Sequence, residues 1–491
     1  MKELQIIPQP ETMEQRNGVF MLGPQTAIVA SKAYQPVADH LAQVLARTTG
    51  FDFAVRQSEQ QNGPAGSIAL LCAADQPDLG DEGYTLSVTA DQIIIRAFRP
   101  AGAFYASQTL RQLLPAPIEP HGEVRKTWAV PQAELKDRPR FPWRGFLLDS
   151  ARHFQSKEFV LRLIDALTFY KINRLHWHLC DNEGWRMETG NYPALTRAAA
   201  NGQKCECYTQ ADLREIIEYA TTCHVQIYPE VEMPGHSFRA LDVFRDMRCN
   251  PAEATCEFCL GTEKTERFLK DVLQEVMDLF PHAIIHLGGD EAGTAHWQAC
   301  PRCQARIKAN GLGNERMLQK WFLQRMTDFV REKGHGTIAW ADHQDLGWPA
   351  GQIVQGWHSG ESDYAITHGM KTINSNHEYA YFDYPIAPDD PIRAKWMPEL
   401  SLAKVYSFDP VPPGMTPEQA ALVMGSEACL WTENIPEHKV YEKTFPRLLA
   451  FSEVVWSPQK SRDWLKFEKR VATHFRWLDA MGVTCWRGSG I

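Results

Sequence analysis

The chain has no uninterrupted apolar run of membrane-spanning length, for which about 20 apolar residues are needed. It has no run of lysine or arginine, and 60 acidic residues outnumber 51 basic ones, so nothing suggests a nucleic-acid surface. The opening stretch, Met1 to Pro8, lacks the long apolar region of a signal peptide. That leaves a cytoplasmic protein, or a secreted or periplasmic one whose leader has been removed. No internal repeat and no low-complexity tract stand out, and no glycine-rich dinucleotide fingerprint follows a first strand. What remains is ordinary globular composition: 491 residues, 44% hydrophobic and 23% charged, ample for two domains and a large core. Fifteen tryptophans is a high count. Aromatic faces suit sugar rings, although most tryptophans are core residues.

The most informative run is His286-Leu-Gly-Gly-Asp290-Glu291, preceded by Ala283-Ile-Ile285. It reads as a short buried strand that stops at two glycines and presents adjacent carboxylates. Like charges so close resist ionising together, so their pKa values are driven apart. Two carboxyls in different protonation states are what glycoside hydrolysis requires. A solvated turn after a strand is the bland alternative for this run alone.

Two regimes divide the chain. Residues 1–140 read as a small α+β domain, with strand-like runs at 27–30, 67–71 and 92–95 and helical periodicity near 36–48 and 101–114. Pro115, Pro117, Pro120 and Gly122 mark a break, and Pro131 with the stretch 138–142 marks a linker. From Trp143 short apolar runs alternate with amphipathic segments. Strands are expected at 143–149, 172–179, 224–230, 283–288, 336–341, 352–357, 371–376 and 422–428, with helices between several of them. Eight strands alternating with helices over 141–460 predict a (β/α)8 TIM barrel of α/β class. Residues 461–491 should supply a helix packed on its outside.

A barrel should carry its functional groups at the C-terminal strand ends. Asp149 ends the first run, and His176, His178 and Asp181 the second; Glu230, Glu232 and His236 follow the third, and Asp290 and Glu291 the fourth. Trp340 and Asp342 end the fifth, Trp357 and His358 the sixth, and Glu427, Trp431 and Glu433 follow the eighth. Together they favour one polar, aromatic-walled pocket. Among twelve cysteines, Cys256-x-x-Cys259 and Cys300-x-x-Cys303 form two pairs, with Cys249 nearby. Four thiolates could hold a structural zinc; disulfides or free thiols are the alternatives. Cys205-x-Cys207 is a weaker hint.

These residues carry a family resemblance. Arg144-Gly-Phe-Leu-Leu-Asp149-Ser-Ala-Arg152-His-Phe154, Asn173-Arg-Leu-His176-Trp-His178-Leu-Cys-Asp181-Asn-Glu-Gly184-Trp185-Arg186, Pro229-Glu230-Val-Glu232-Met-Pro-Gly-His236 and the Asp290-Glu291 run resemble successive signatures of family 20 glycoside hydrolases, the β-N-acetylhexosaminidases. Tyr381-Phe-Asp383 and Gly425-Ser-Glu427-Ala-Cys-Leu-Trp431-Thr-Glu433 complete the ordered set. Cys180 stands where serine is expected. The resemblance implies release of terminal β-linked N-acetylhexosamine from glycans with retained configuration. The substrate's own acetamido oxygen attacks through an oxazolinium intermediate, and no catalytic cofactor is needed.

It further implies Glu291 as general acid and base, its pKa raised by burial and by Asp290. Asp290 would stay ionised and hold the acetamido N–H, and Tyr381 its carbonyl. Asp181 and His236 would form a buried pair beside the acid. Trp340, Trp357 and Trp431 would wall the acetamido pocket, with Arg144, Asp383 and Glu433 on the outer hydroxyls. Arg144 and Glu433 as a structural ion pair is the alternative. The rival readings are a disaccharide-releasing relative, a silent carbohydrate-binding protein, and a metal-dependent barrel hydrolase built on the His176-x-His178 pair with His343 or His358. A homodimer is an expectation drawn from other such barrels.

Overall fold

The computed structural model describes residues 3–58, 63–117, 125–197, 206–342 and 347–490. Pro120, Gly122, Cys205 and His343 lie outside them.

The first unit is a seven-stranded mixed sheet with spatial order Thr12–Leu22, Trp128–Asp137, Tyr84–Val88, Ile93–Ala97, Ser67–Cys72, Ala27–Ala30 and Val55–Gln57. The first four strands pair antiparallel and the last four parallel. The Tyr84–Val88 and Ile93–Ala97 strands alternate buried and half-exposed residues, the period-two signature of a sheet with one buried face. Pro131 does not mark a linker: it lies inside the strand Trp128–Asp137. It pairs with Val19, beyond Ala133, where the Tyr84–Val88 neighbour ends. Only one flank is laddered there, and a missing N–H is tolerated. The helix Pro100–Leu113 is buried along nearly its whole length because it is sandwiched. Its other face meets the barrel, where Phe104 lies 5.0 Å from the His224 ring, Tyr105 5.3 Å from Trp456, and Gln112 Nε2 donates to the Phe169 carbonyl.

The second unit is a closed, all-parallel eight-stranded barrel: Trp143–Asp149, Arg174–His178, Gln226–Glu230, Ile285–His286, Thr337–Trp340, Ile353–Gly356, Thr372–Asn374 and Val423–Leu430. The fold is therefore a TIM barrel preceded by a small α+β unit. Each strand falls within or across an expected run. The fourth is shorter than expected at both ends, and its C-terminal end is set by Gly288 and Gly289, which turn to positive φ at once. Gly288 has no alternative, since a Cβ there would lie 1.8 Å from the Glu232 carboxylate. The helix Trp464–Ala480 packs Trp477 on Phe169 and Phe467 on Tyr406, while Arg470 donates to the Ile6 carbonyl.

Candidate active site

At the C-terminal mouth of the barrel lies a cavity of about 350 Å³. Asp181, His236, Asp290, Glu291, Trp340, Trp357, Tyr381, Asp383, Trp431 and Glu433 all reach it. Ten of the eleven expected pocket residues therefore converge. The eleventh, Arg144, does not. It stands at the N-terminal end of the first strand, on the opposite face of the barrel. Its fully buried guanidinium makes a two-point contact with Glu82 of the small unit, at 2.8 and 2.9 Å. It pairs with Glu82, not with Glu433. The arginine in the pocket is Arg152, three residues past the end of that strand. It reaches Asp149 at 3.3 Å, Asp181 at 2.9 Å and Glu433 at 3.9 Å, and lies over the Trp431 ring.

Beneath the cavity the barrel core is a buried ionic network. Glu230 meets His178, His176 at 3.2 Å, His286 at 2.8 Å and the Trp340 indole N–H at 2.8 Å. His176 also meets Glu427 at 2.8 Å, and His178 meets Asp181 at 2.8 Å. Burial by itself would lower the two histidine pKa values, but the carboxylates outweigh it, raising His176 to about 9 and His178 to about 10. Nδ1 of His176 and both ring nitrogens of His178 face carboxylates, which favours the imidazolium forms. The His-x-His pair ties its strand to the third and eighth strands through Glu230 and Glu427 and, through Asp181, to the next layer up.

That layer is Asp181, His236 and Glu291. His236 Nδ1 lies 3.2 Å from Asp181 and its Nε2 3.3 Å from Glu291 and 3.8 Å from Asp290. Burial alone would lower the His236 pKa, but bonds to Asp181 and Glu291 raise it well above the ordinary value. Both His236 and Glu291 have φ of 45°, a strained left-handed conformation costing of order 1–3 kcal/mol each. The Glu291 N–H is held by Asp342 at 2.7 Å, and the same carboxylate accepts from the Trp357 indole at 2.9 Å. Asp342 thus orients both Glu291 and one wall.

The two adjacent carboxyls do split, in the direction opposite to that expected. Burial drives Asp290 up to about 7. The His236 bond lowers Glu291, whose side chain is 58% exposed in the open pocket. Sequence proximity suggested mutual repulsion, but the imidazolium sits closer to Glu291, and Asp290 is the more buried partner. One Asp290 oxygen, Oδ1, is buried without a partner, as is Oδ1 of Asp383. Burial, then the Glu433 charge, raises Asp383 to about 8. The walls are Trp340, Trp431 and Trp357, with Tyr381 stacked on Trp357 at 6.2 Å. Trp396, 70% exposed, stands at the rim. It follows an irregular proline-rich stretch with no period to read, and only its being a solvent-exposed tryptophan gives it away.

Of the two CxxC pairs, Cys259, Cys300 and Cys303 meet, but Cys256 does not join them. The fourth sulfur is that of Cys249. All described cysteines are free thiols.

Comparison with known proteins agrees with this geometry. Residues 141–459 match the catalytic domain of glycosyl hydrolase family 20, and residues 3–138 match its domain 2. A β-hexosaminidase of Porphyromonas gingivalis is 33% identical over 98% of this chain, and the chain spans 64% of that protein's length. One from Akkermansia muciniphila is 30% identical over 86% of this chain and 89% of its own length. The family 20 β-N-acetylhexosaminidase of Streptomyces coelicolor superposes with a TM-score of 0.86 at 31% identity, covering 99% of this chain and 98% of that one. The chain belongs to glycosyl hydrolase family 20, and its class is that of a glycoside hydrolase, a β-N-acetylhexosaminidase acting on glycans.

Proposed function

We propose that this enzyme removes single terminal β-linked N-acetylhexosamine residues by substrate-assisted catalysis with retention. The observation that carries the reading is the unpartnered, buried Asp290 Oδ1 in an aromatic-walled cavity shared with Glu291 and Tyr381. A buried acceptor without a donor calls for one from the ligand, and an acetamido N–H supplies it. Asp290 orients that amide, and Tyr381 donates to its carbonyl oxygen, which attacks C1. The three tryptophans enclose the methyl group. Glu291 protonates the leaving oxygen, then takes a proton from the water that opens the oxazolinium ring.

The protonation pattern of the open pocket fits this role. Burial biases Asp290 toward its protonated form, and the His236 contact biases Glu291 toward its ionised form. An N–H donated to Asp290 lowers its pKa, while a sugar ring covering Glu291 raises that of the acid. Substrate therefore moves the proton to where the first step uses it. The cavity of about 350 Å³ lies at the small end of ligand sites, roughly 300–1,000 Å³, which supports one enclosed sugar rather than two. Arg152 and Glu433 are placed to grip the outer hydroxyls, with Asp383 beside them, and the departing group would leave past Trp396.

Hydrolysis of an aryl β-N-acetylglucosaminide should greatly exceed that of the matching β-glucoside. Equal rates on the two would remove the amide from the mechanism. Exclusive activity on disaccharide aglycones would replace the single-residue reading.

A further inference from the structure

Four cysteines converge away from the sugar pocket. Cys249 follows the turn Arg245–Met247, Cys259 lies further along the same loop, Cys300 caps the helix Pro301–Ala309, and Cys303 lies in its first turn. The sulfurs of Cys249 and Cys303 are 3.7 Å apart, those of Cys259 and Cys300 3.8 Å, and those of Cys259 and Cys303 3.7 Å. All four can lie within 4.8 Å of one another. A disulfide needs about 2.05 Å, so none is formed here. Tetrahedral thiolates about 2.3 Å from a zinc ion stand about 3.8 Å from each other, which is the spacing seen.

The surroundings fit a doubly negative tetrathiolate site. Arg302 donates to the carbonyls of Arg248 and Cys249, setting a guanidinium beside the sulfurs. The Gly261 N–H points at the Cys259 sulfur. Gly261 is itself required, because a Cβ there would lie 2.3 Å from the backbone of Arg302. Cys300 and Cys303 sit at a helix N-terminus, where thiolates are favoured.

We propose that Cys249, Cys259, Cys300 and Cys303 form a structural zinc site that ties the loop after the third barrel strand to the segment after the fourth. Four protein ligands close the coordination sphere, leaving no position for substrate. The tied loop braces the catalytic stretches through its backbone: Ser237 N–H donates to the Cys256 carbonyl at 2.9 Å and Phe258 N–H to the Pro234 carbonyl at 2.9 Å. Gly293 N–H donates to Glu257 at 3.1 Å. His236 and Glu291 lie next to these anchors. That consequence rests on the catalytic reading above, whereas the metal site does not.

Enzyme purified under reducing conditions from zinc-supplemented cells should contain one zinc per chain. Cys256→Ser should keep it, and Cys259→Ser should lose it. Should the second variant fail to fold, mercurial titration of the native enzyme reads the same site: one zinc should be released as four thiols react. Cobalt exchange should give the intense visible bands of a tetrahedral tetrathiolate. On release, the Ser237 and Gly293 amides should lose protection from hydrogen exchange. Absence of stoichiometric zinc, iron in its place, zinc lost in Cys256→Ser or zinc kept in Cys259→Ser would each overturn the site. Unchanged protection on release would overturn the brace.

Discussion

Asp290 and Glu291 are neighbours in sequence but occupy different environments. Asp290 is buried and holds its proton up to about pH 7, whereas His236 keeps Glu291 ionised well below that. The proposed acid step needs one proton on the carboxyl pair, and above about pH 7 the pair in the free pocket has none. Since kcat/KM reports the free enzyme, it should fall as pH rises through about 7. In Asp290→Asn the upper titrating group is gone, and the fall should move to lower pH, toward the depressed pKa of Glu291. A pH profile on an aryl substrate with a good leaving group measures both. An unmoved limb would show that Asp290 does not hold the proton. Glu291→Gln, unable to carry it, should lose about 10²–10⁴-fold on poor leaving groups.

The two arginines of one motif separate cleanly by role. Arg152→Met should raise KM, and it should also lower thermal stability, because it leaves the buried Asp149 and Asp181 carboxylates without their cation. Arg144→Met would leave Glu82 without its buried partner, a loss of roughly 3–5 kcal/mol, with KM of the folded fraction unchanged. Melting temperature and KM on both variants check this assignment. The distinction was available in the sequence. Arg144 opens its strand and Arg152 follows the end of it, and only the C-terminal end faces a barrel's active site. Motif membership alone does not say which end a side chain serves.

Among the elements, the fourth strand shows how local sequence fixes a site. Ile285 and His286 pair, Gly288 and Gly289 break the ladder at φ of 63° and 102°, and Glu291 emerges at 45°. Gly288→Ala would place a methyl against the Glu232 carboxylate in a backbone region that alanine avoids. It should cost more than about 1 kcal/mol and lower kcat by displacing the two carboxyls. Calorimetry and turnover test it, and wild-type values for both would refute it. The eight barrel strands were legible because their apolar runs are short and separated by amphipathic helices. Four strands of the small sheet were not: Val55–Gln57, Tyr84–Val88, Thr12–Leu22 and Trp128–Asp137. Of the last two, the first exposes most of its residues and the second contains Pro131, so neither shows a clean apolar run.

At the scale of the molecule, the two units are joined by buried charge. Arg144 meets Glu82, and Lys171 meets Asp137 at 2.8 Å with both side chains fully buried. Asp137 also accepts from the Trp456 indole at 3.0 Å. Lys171→Met strands Asp137 in the interface and should cost roughly 3–5 kcal/mol. Both units should unfold in one calorimetric transition, which moves down as a whole in the variant. Two separated transitions in the wild type would contradict the coupling.

The sequence by itself determined the barrel and the carboxylate pair. It also brought eight of the ten pocket residues to strand ends, because strand period and strand ends are local properties that a chain carries wherever it folds; Tyr381 and Asp383 came through the family resemblance. Only the tertiary structure decided which of two carboxyls holds the proton, since that depends on how deeply each lies and on an imidazolium brought from another strand. It alone placed Arg144 in the interface and Arg152 in the pocket. It also brought the Cys249 sulfur, rather than that of Cys256, to the other three, because which sulfurs meet follows where a loop turns in space rather than how its cysteines are spaced along the chain.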